Sequence, residues 1–277
     1  MSDSGEPALG TVQETLLIPL YGRATFTRQH PALIDDPRSV EMVEALDYDF
    51  SRFDGTMSLV GSVFRTRIFD HWVARWLADN PTGTVVEVGA GLNTRHERLD
   101  DGTARWIELD LPDVAELRRR FFADTDRRTI LAGSVLDDEW LDAVEATGGP
   151  WFFAAEAVLI YLEPAEVLDV LARIGRRFGP SPLALDTWTS WMAEHQGEHD
   201  TIGTMEAEFR WFCDDPAALD VPGVQVAVDE RFTFAGAPAE LVALLPDQLR
   251  QALPLLADDP QMSSYHQNLL TLSPVAP

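Results

Sequence analysis

The chain predicts an α/β fold: a seven-stranded, mostly parallel sheet covered on both faces, with a helical cap before it and a lid inserted after the fifth strand. Three observations predict it. From Thr84 onward short apolar strands alternate with helical segments. The first of those strands runs into two glycines spaced one apart, Gly89 and Gly91, with a helix-like segment at once behind them. The stretch before it, residues 11 to 80, carries helical periods broken by turn residues and no strand pattern.

Taken in order, Thr11–Thr25 is amphipathic, Pro31–Pro37 is a turn-rich break, Arg38–Leu46 resumes a helical period, and Ser58–Asp79 is a longer helix stopped at Asn80-Pro81. This is the cap, residues 1–82. Strands follow at Thr84–Val88, Ala104–Leu109, Arg128–Ala132, Trp151–Ala155 and Leu183–Asp186, with helices at Asn93–Leu99, Pro112–Phe122, Trp140–Thr147 and Pro164–Phe178 between them. Residues 187–223 lose the regularity and are rich in Trp, His, Met and acidic residues, which suits a lid within the core unit 83–277. Val224–Phe232 and Asn268–Leu272 supply the last two strands. Between them, 238–257 reads as a helix interrupted by Pro246 and Pro254.

Composition narrows the function classes. A formal charge of −25 opposes nucleic acid and anionic membrane surfaces as partners. All 21 basic residues are arginine, so lysine Schiff-base chemistry is excluded. Cys213 is the only cysteine, which rules out an intrachain disulfide or a cysteine-built zinc site. His195 and His199 stand at helical spacing but the residues between them complete no ligand set, so no metal is expected. The acidic N-terminus has no charged-then-apolar pattern and no run approaches the ~20 apolar residues of a membrane span, so the chain reads as cytoplasmic. Nothing in the sequence specifies an oligomeric state.

Glycines after an apolar strand let the backbone turn at positive φ and let a ligand approach without a Cβ in the way, while the helix start presents unpaired N–H groups. That arrangement binds a nucleotide-like cofactor. Thr94 stands where the third glycine of a dinucleotide fingerprint would be, and Glu87 already sits inside the strand. Both departures point away from a nicotinamide-dependent oxidoreductase and toward S-adenosylmethionine. A ribose needs an acceptor about 20 residues past the first glycine, and Asp110, just beyond the second strand and ahead of Pro112, fits; a plain helix-capping aspartate is the other reading. Glu108 is set aside as turned to another face. Ser134, Val135 and Leu136, after the third strand, could meet an adenine edge or form an ordinary turn. Glu156 closes an apolar strand, so its carboxylate must be hydrated, ion-paired or bound to a ligand cation.

Together these segments carry a resemblance. Arg65-Thr-Arg67, Glu87-Val-Gly-Ala-Gly-Leu-Asn-Thr-Arg95 with Arg98-Leu-Asp100, Leu109-Asp-Leu-Pro112, Glu156 to Glu166 and the N-terminal Gln13 to Ala24 resemble the leucine carboxyl methyltransferase superfamily, in particular its bacterial polyketide O-methyltransferase branch. The likeness covers residues 10 to 190 well and the rest loosely. It implies a class I methyltransferase fold of Rossmann-like type with S-adenosylmethionine as donor and S-adenosylhomocysteine as product. By motif position Arg65, with Arg67 as its rival, would meet the methionine carboxylate. Gly89 and Gly91 would line the methionine half, Asp110 would hold the ribose and Glu156 would sit near the methionine amino group, with Glu87, Ala90, Asn93, Leu111, Ala157 and Tyr161 as further cofactor-binding candidates.

Methyl transfer from a sulfonium is an in-line displacement, so the protein has to align an oxygen and exclude water. A carboxylate acceptor is already ionised, whereas a phenol of pKa near ~10 gains from a base. His195 and His199 are the candidates, with His266 before the last strand, and each could equally be structural. Trp188, Trp191, Met192 and Trp211, with Tyr21 from the N-terminal motif, are candidates to line a flat aromatic acceptor, or to serve as ordinary packing. The leading expectation is a small-molecule O-methyltransferase; a protein C-terminal carboxyl methyltransferase and a catalytically silent S-adenosylmethionine-binding protein are the alternatives.

Overall fold

The structure is a computed structural model that describes residues 9–275; residues 1–8 of the expected cap lie outside the described residues. In chain order the elements are α1 (Leu17–Gln29), α2 (Pro37–Ala45), α3 (Met57–Asp79), β1 (Thr84–Val88), α4 (Arg95–Leu99), β2 (Arg105–Asp110), α5 (Pro112–Arg119), β3 (Arg128–Ala132), α6 (Glu139–Glu145), β4 (Trp151–Ala155), α7 (Pro164–Phe178), β5 (Ser181–Trp188), α8 (Ser190–His195), β6 (Val224–Phe232), α9 (Ala239–Val242), α10 (Asp247–Leu256), α11 (Pro260–Ser264) and β7 (Tyr265–Pro274). The strands form one seven-stranded sheet in the order β3-β2-β1-β4-β5-β7-β6. Strands β1 to β5 pair in parallel, and β7 runs antiparallel between β5 and β6.

Alternation along the strands sends side chains to two different cores. Val86, Phe153, Leu183, Leu185 and Leu270 pack under α6 and α7. Val85, Trp106, Phe152 and Ala184 pack under Val63, Ile68, Phe69 and Trp72 of α3. The expected cap therefore shares its core with the sheet through α3. Ahead of it, α1 and α2 close over α5 through Leu17, Leu20, Met42, Ala115 and Leu117.

Four of the expected strands begin and end where the sequence pattern places them. The last strand is longer than expected, because ladder bonds to β5 and β6 on both sides carry it to Tyr265 and Pro274. Pro246 precedes α10, but Pro254 lies inside it; so close to the C-terminal end it removes only a last-turn hydrogen bond. Residues 187–223 are more ordered than a bare loop. They contain α8 and short 3-10 turns, and the extended piece at 210–213 is stitched to the sheet end by N–H bonds from Arg210 and Trp211 to Ile160 O and from Cys213 to Trp188 O.

Candidate active site

One cavity of about 340 Å³ opens at the C-terminal ends of β1, β2, β4 and β5, where open parallel sheets place their ligands. At one end the chain turns through Gly89 (φ +67°) and Gly91 (φ +50°). A Cβ on Gly89 would lie 2.3 Å from Val158 Cγ2, so packing as well as backbone conformation demands glycine there; a Cβ on Gly91 would meet nothing closer than 3.5 Å. The Gly91 N–H donates to Asp110 Oδ2 (2.6 Å) and the Leu111 N–H to Asp110 Oδ1 (2.8 Å), which fixes the carboxylate on the cavity wall. Burial pushes its pKa up, against the pull of those two N–H groups. Ala90, Asn93, Leu111, Ser134 and Val135 border the same end. Leu136 stands behind the wall, against the α7 core.

Beneath this end lies a buried ionic layer. On the α3 face Val85 and Glu87, Trp106 and Glu108, Ala154 and Glu156, and Ala184 and Asp186 follow one another at a spacing of two, so each strand end turns an acid toward α3 and α4. Arg95, fully buried, answers three acids: it donates to Asp70 (2.9 Å), Glu87 and Glu156. Arg65 donates to Glu156 Oε1 (2.9 Å) and to the Tyr265 hydroxyl (3.0 Å), which donates on to Asp186. Burial pushes the Glu156 carboxyl up, but Arg65 and Arg95 outweigh it and hold it at about 2. For Glu87 burial wins over Arg95, and its pKa is raised.

The carboxylate of Glu156 is thus ion-paired, and both it and Arg65 face the cavity. Glu87 does not reach the cavity wall; Arg95 and the Asn93 amide (3.2 Å) hold it below. Glu108 lies two residues from Asp110 and so on the same side of the strand, contrary to the expected opposite face. Its separation comes from Arg118 and Arg128, each 2.9 Å from its Oε2. Arg67 pairs with Asp70 (3.4 Å), away from the cavity. Ala157, on the wall, adopts φ +56°, a left-handed conformation held by its N–H bond to Asp186 Oδ1 (2.8 Å). Tyr161 lines the wall beside it.

The other end of the cavity is apolar. Val60, Gly61 and Phe64 of α3 face Phe234 and the α9–α11 segment, which contributes Leu245, Leu249, Leu253, Leu256 and Met262. Trp188, at the end of β5, and His199, from the segment after it, complete it. Other expected acceptor and catalytic residues lie elsewhere. Trp211 is buried in the α7 core with Cys213 and Val221. Met192 sits wholly behind Trp188 and Phe209. Trp191 and His195 stack on each other (3.9 Å, 5°), and His195 Nδ1 is spent on Trp191 O. Tyr21 stacks on Phe50 and donates to Asp54 on the far side of α1. These positions follow from which side of a short helix or extended piece each residue occupies.

Sequence reasoning missed two contributors. Arg23 of α1 is buried, bonds Asp36 (2.9 Å) and Leu92 O (2.6 Å), and reaches the cavity; it lies within the N-terminal motif and was visible there. The α10 wall was also readable, since Leu249, Leu253 and Leu256 repeat at helical spacing.

This sheet order, with a glycine turn after β1, an acid ending β2 and a carboxylate ending β4, defines a class I S-adenosylmethionine-dependent methyltransferase. Solved structures share the fold: a candidate methyltransferase from Thermobifida fusca YX aligns with a TM-score of 0.55 at 16% identity, over 92% of this chain and 95% of that one. The family model for leucine carboxyl methyltransferase matches residues 17–175. The chain belongs to the leucine carboxyl methyltransferase family. Among its relatives are the tetracenomycin polyketide synthesis O-methyltransferase TcmP of Streptomyces glaucescens, 33% identical over 77% of this chain and 80% of that protein. The S-adenosyl-L-methionine-dependent methyltransferase dpfgK of Gibberella zeae is 28% identical over 80% of this chain and 83% of its own length. Among the described residues no helix is long and apolar enough to cross a membrane.

Proposed function

We propose that this enzyme methylates an oxygen, hydroxyl or carboxyl, of a small aromatic, polyketide-like acceptor. The observation that carries the reading is the continuity of one cavity, polar where Gly91, Asp110 and Glu156 stand and apolar from Val60 to Met262. The polar end fits the donor. Asp110 keeps a free lone pair on each oxygen for ribose hydroxyls, because the Gly91 and Leu111 N–H groups each take one. Arg23 and Arg65 present guanidinium groups suited to the methionine carboxylate, with Glu156 on the amino group's side, and Ser134 and Val135 border the space for adenine.

S-adenosylmethionine, when bound, supplies an electrophilic methyl on a sulfonium and departs as S-adenosylhomocysteine. The chain's part is to hold the acceptor oxygen in line with that methyl and to keep water out, which the Phe64, Phe234 and Leu249 wall does. The name of the Streptomyces glaucescens relative supports an acceptor of polyketide type.

Calorimetric titration with S-adenosylmethionine, S-adenosylhomocysteine and NADH should give heat from the first two alone. Asp110→Ala should weaken both by about 1 to 3 kcal/mol. An acceptor screen of hydroxynaphthoates, hydroxyanthraquinones and a peptide C-terminus should yield methylated aromatic products; methylation of the peptide alone would overturn the proposal.

A further inference from the structure

His199 lines the cavity from the turn after α8. The backbone N–H groups of Ile202 (3.2 Å) and Thr201 (3.4 Å) both donate to Nδ1, and the Thr201 hydroxyl oxygen, whose own proton goes to Ser58 Oγ, lies 3.3 Å from it. A nitrogen that accepts two N–H groups has its lone pair directed at them and carries no hydrogen, so the neutral ring holds its proton on Nε2. The Asp200 carboxylate lies 3.5 Å from Nδ1, farther than either N–H donor, and accepts from the Ser58 N–H and hydroxyl. Trp188 and Phe209 hold the ring edge-on, at 84° and 81°. Burial outweighs the single facing charge, Asp200, and pushes the ring's pKa below its usual 6.5, so it stays neutral at neutral pH.

We propose that His199 reads the acceptor as a hydrogen-bond donor through Nε2–H and does not take its proton. A nitrogen that bears hydrogen has no lone pair for a phenol's proton. The acceptor this favours carries a hydrogen-bond-accepting oxygen, carbonyl or oxyanion, beside the oxygen to be methylated. His199 then fixes which oxygen faces the methyl. This inference rests on the reading of the apolar arm as the acceptor site.

Two measurements on the full chain with S-adenosylhomocysteine test it. Long-range proton–nitrogen correlation spectra, with His199→Gln to identify the signals, should show Nδ1 unprotonated and Nε2 protonated. Calorimetric titration with lawsone, a hydroxynaphthoquinone whose hydroxyl adjoins a carbonyl, should give a Kd within about threefold of wild type in His199→Gln, which keeps an N–H donor, and at least about tenfold weaker in His199→Phe. Naphthol, without the carbonyl, should bind all three alike. Unchanged S-adenosylhomocysteine affinity shows that the variants are folded. A protonated Nδ1, or a His199→Gln as weak as His199→Phe, overturns the assignment. If wild type binds neither naphthyl compound, the acceptor class falls, and the nitrogen spectra alone decide the role of His199.

Discussion

Replacing Arg95 by Met keeps much of the side chain's length while removing one charge from the centre of the buried layer. Three carboxylates lose a partner, but not equally. Asp70 keeps Arg98 (2.8 Å) and Glu156 keeps Arg65 (2.9 Å), whereas Glu87 is left with only the Asn93 amide at 3.2 Å. Removing one member of a buried pair costs about 3 to 5 kcal/mol because the other charge stays buried without compensation. An exposed pair such as Arg28 with Glu44 is worth about 0.2 to 1 kcal/mol, so a loss of the larger size is diagnostic. Burial already raises the Glu87 pKa, and loss of Arg95 raises it further. A carboxyl whose folded pKa exceeds its unfolded value binds its proton more readily in the folded state. The variant's deficit is therefore largest at neutral pH and shrinks as pH falls through the folded pKa of Glu87. Urea unfolding followed by tryptophan fluorescence and circular dichroism should show a loss of about 3 to 5 kcal/mol at pH 7, and a smaller loss at pH 5. Glu87→Gln in the same chain should recover about 1 to 2 kcal/mol at pH 7. A loss below about 1 kcal/mol, or one equal at pH 7 and pH 5, would refute the reasoning.

Gly89→Ala should lower stability by at least about 2 kcal/mol, because positive φ and contact with Val158 add, while Gly91→Ala should cost only the conformational part, about 1 to 2 kcal/mol. Thermal melts of the two variants measure the difference, and equal losses would remove the role given to Val158. Burial, aided by the Arg231 charge, pushes His266 down to about 4 from 6.5. Between those values the unfolded chain binds a proton that the folded chain does not, so this residue makes stability fall as pH falls through that window. His266→Leu should flatten the stability–pH curve there; an unaltered slope would show that the ring titrates normally.

Much of this molecule can be read from the chain itself, wherever a residue's role depends on its near neighbours. β1, β3, β4, α7 and β6 have the bounds that their apolar runs and flanking prolines and glycines indicate, because alternation and helical spacing are local properties. Gly89, Gly91 and Asp110 were legible for the same reason: a turn and an acid at a set distance along one βαβ unit must meet. Glu156 was recognisable as a carboxylate needing a partner, and the fold supplied Arg65 from α3 and Arg95 from α4.

The apolar half of the cavity is different, since nothing local says which side of an irregular segment will face the sheet. Trp188 reaches the cavity, whereas Trp211, in the same segment, is drawn into the opposite core once its N–H bonds Ile160 O. His195 and His199 are alike in sequence, four residues apart, yet one is stacked away on Trp191 and the other is locked by backbone N–H groups at the cavity wall. The apolar half of the site is assembled from α3 and α10, far apart in the chain, and only their packing across the end of the sheet makes them one wall. Sequence by itself determined the sheet, its glycine turn and the acid that ends β2, because these rest on short-range stereochemistry. The tertiary structure decided the apolar wall of the cavity, the ionic layer and the surroundings of His199, because each depends on groups that meet only when distant segments pack.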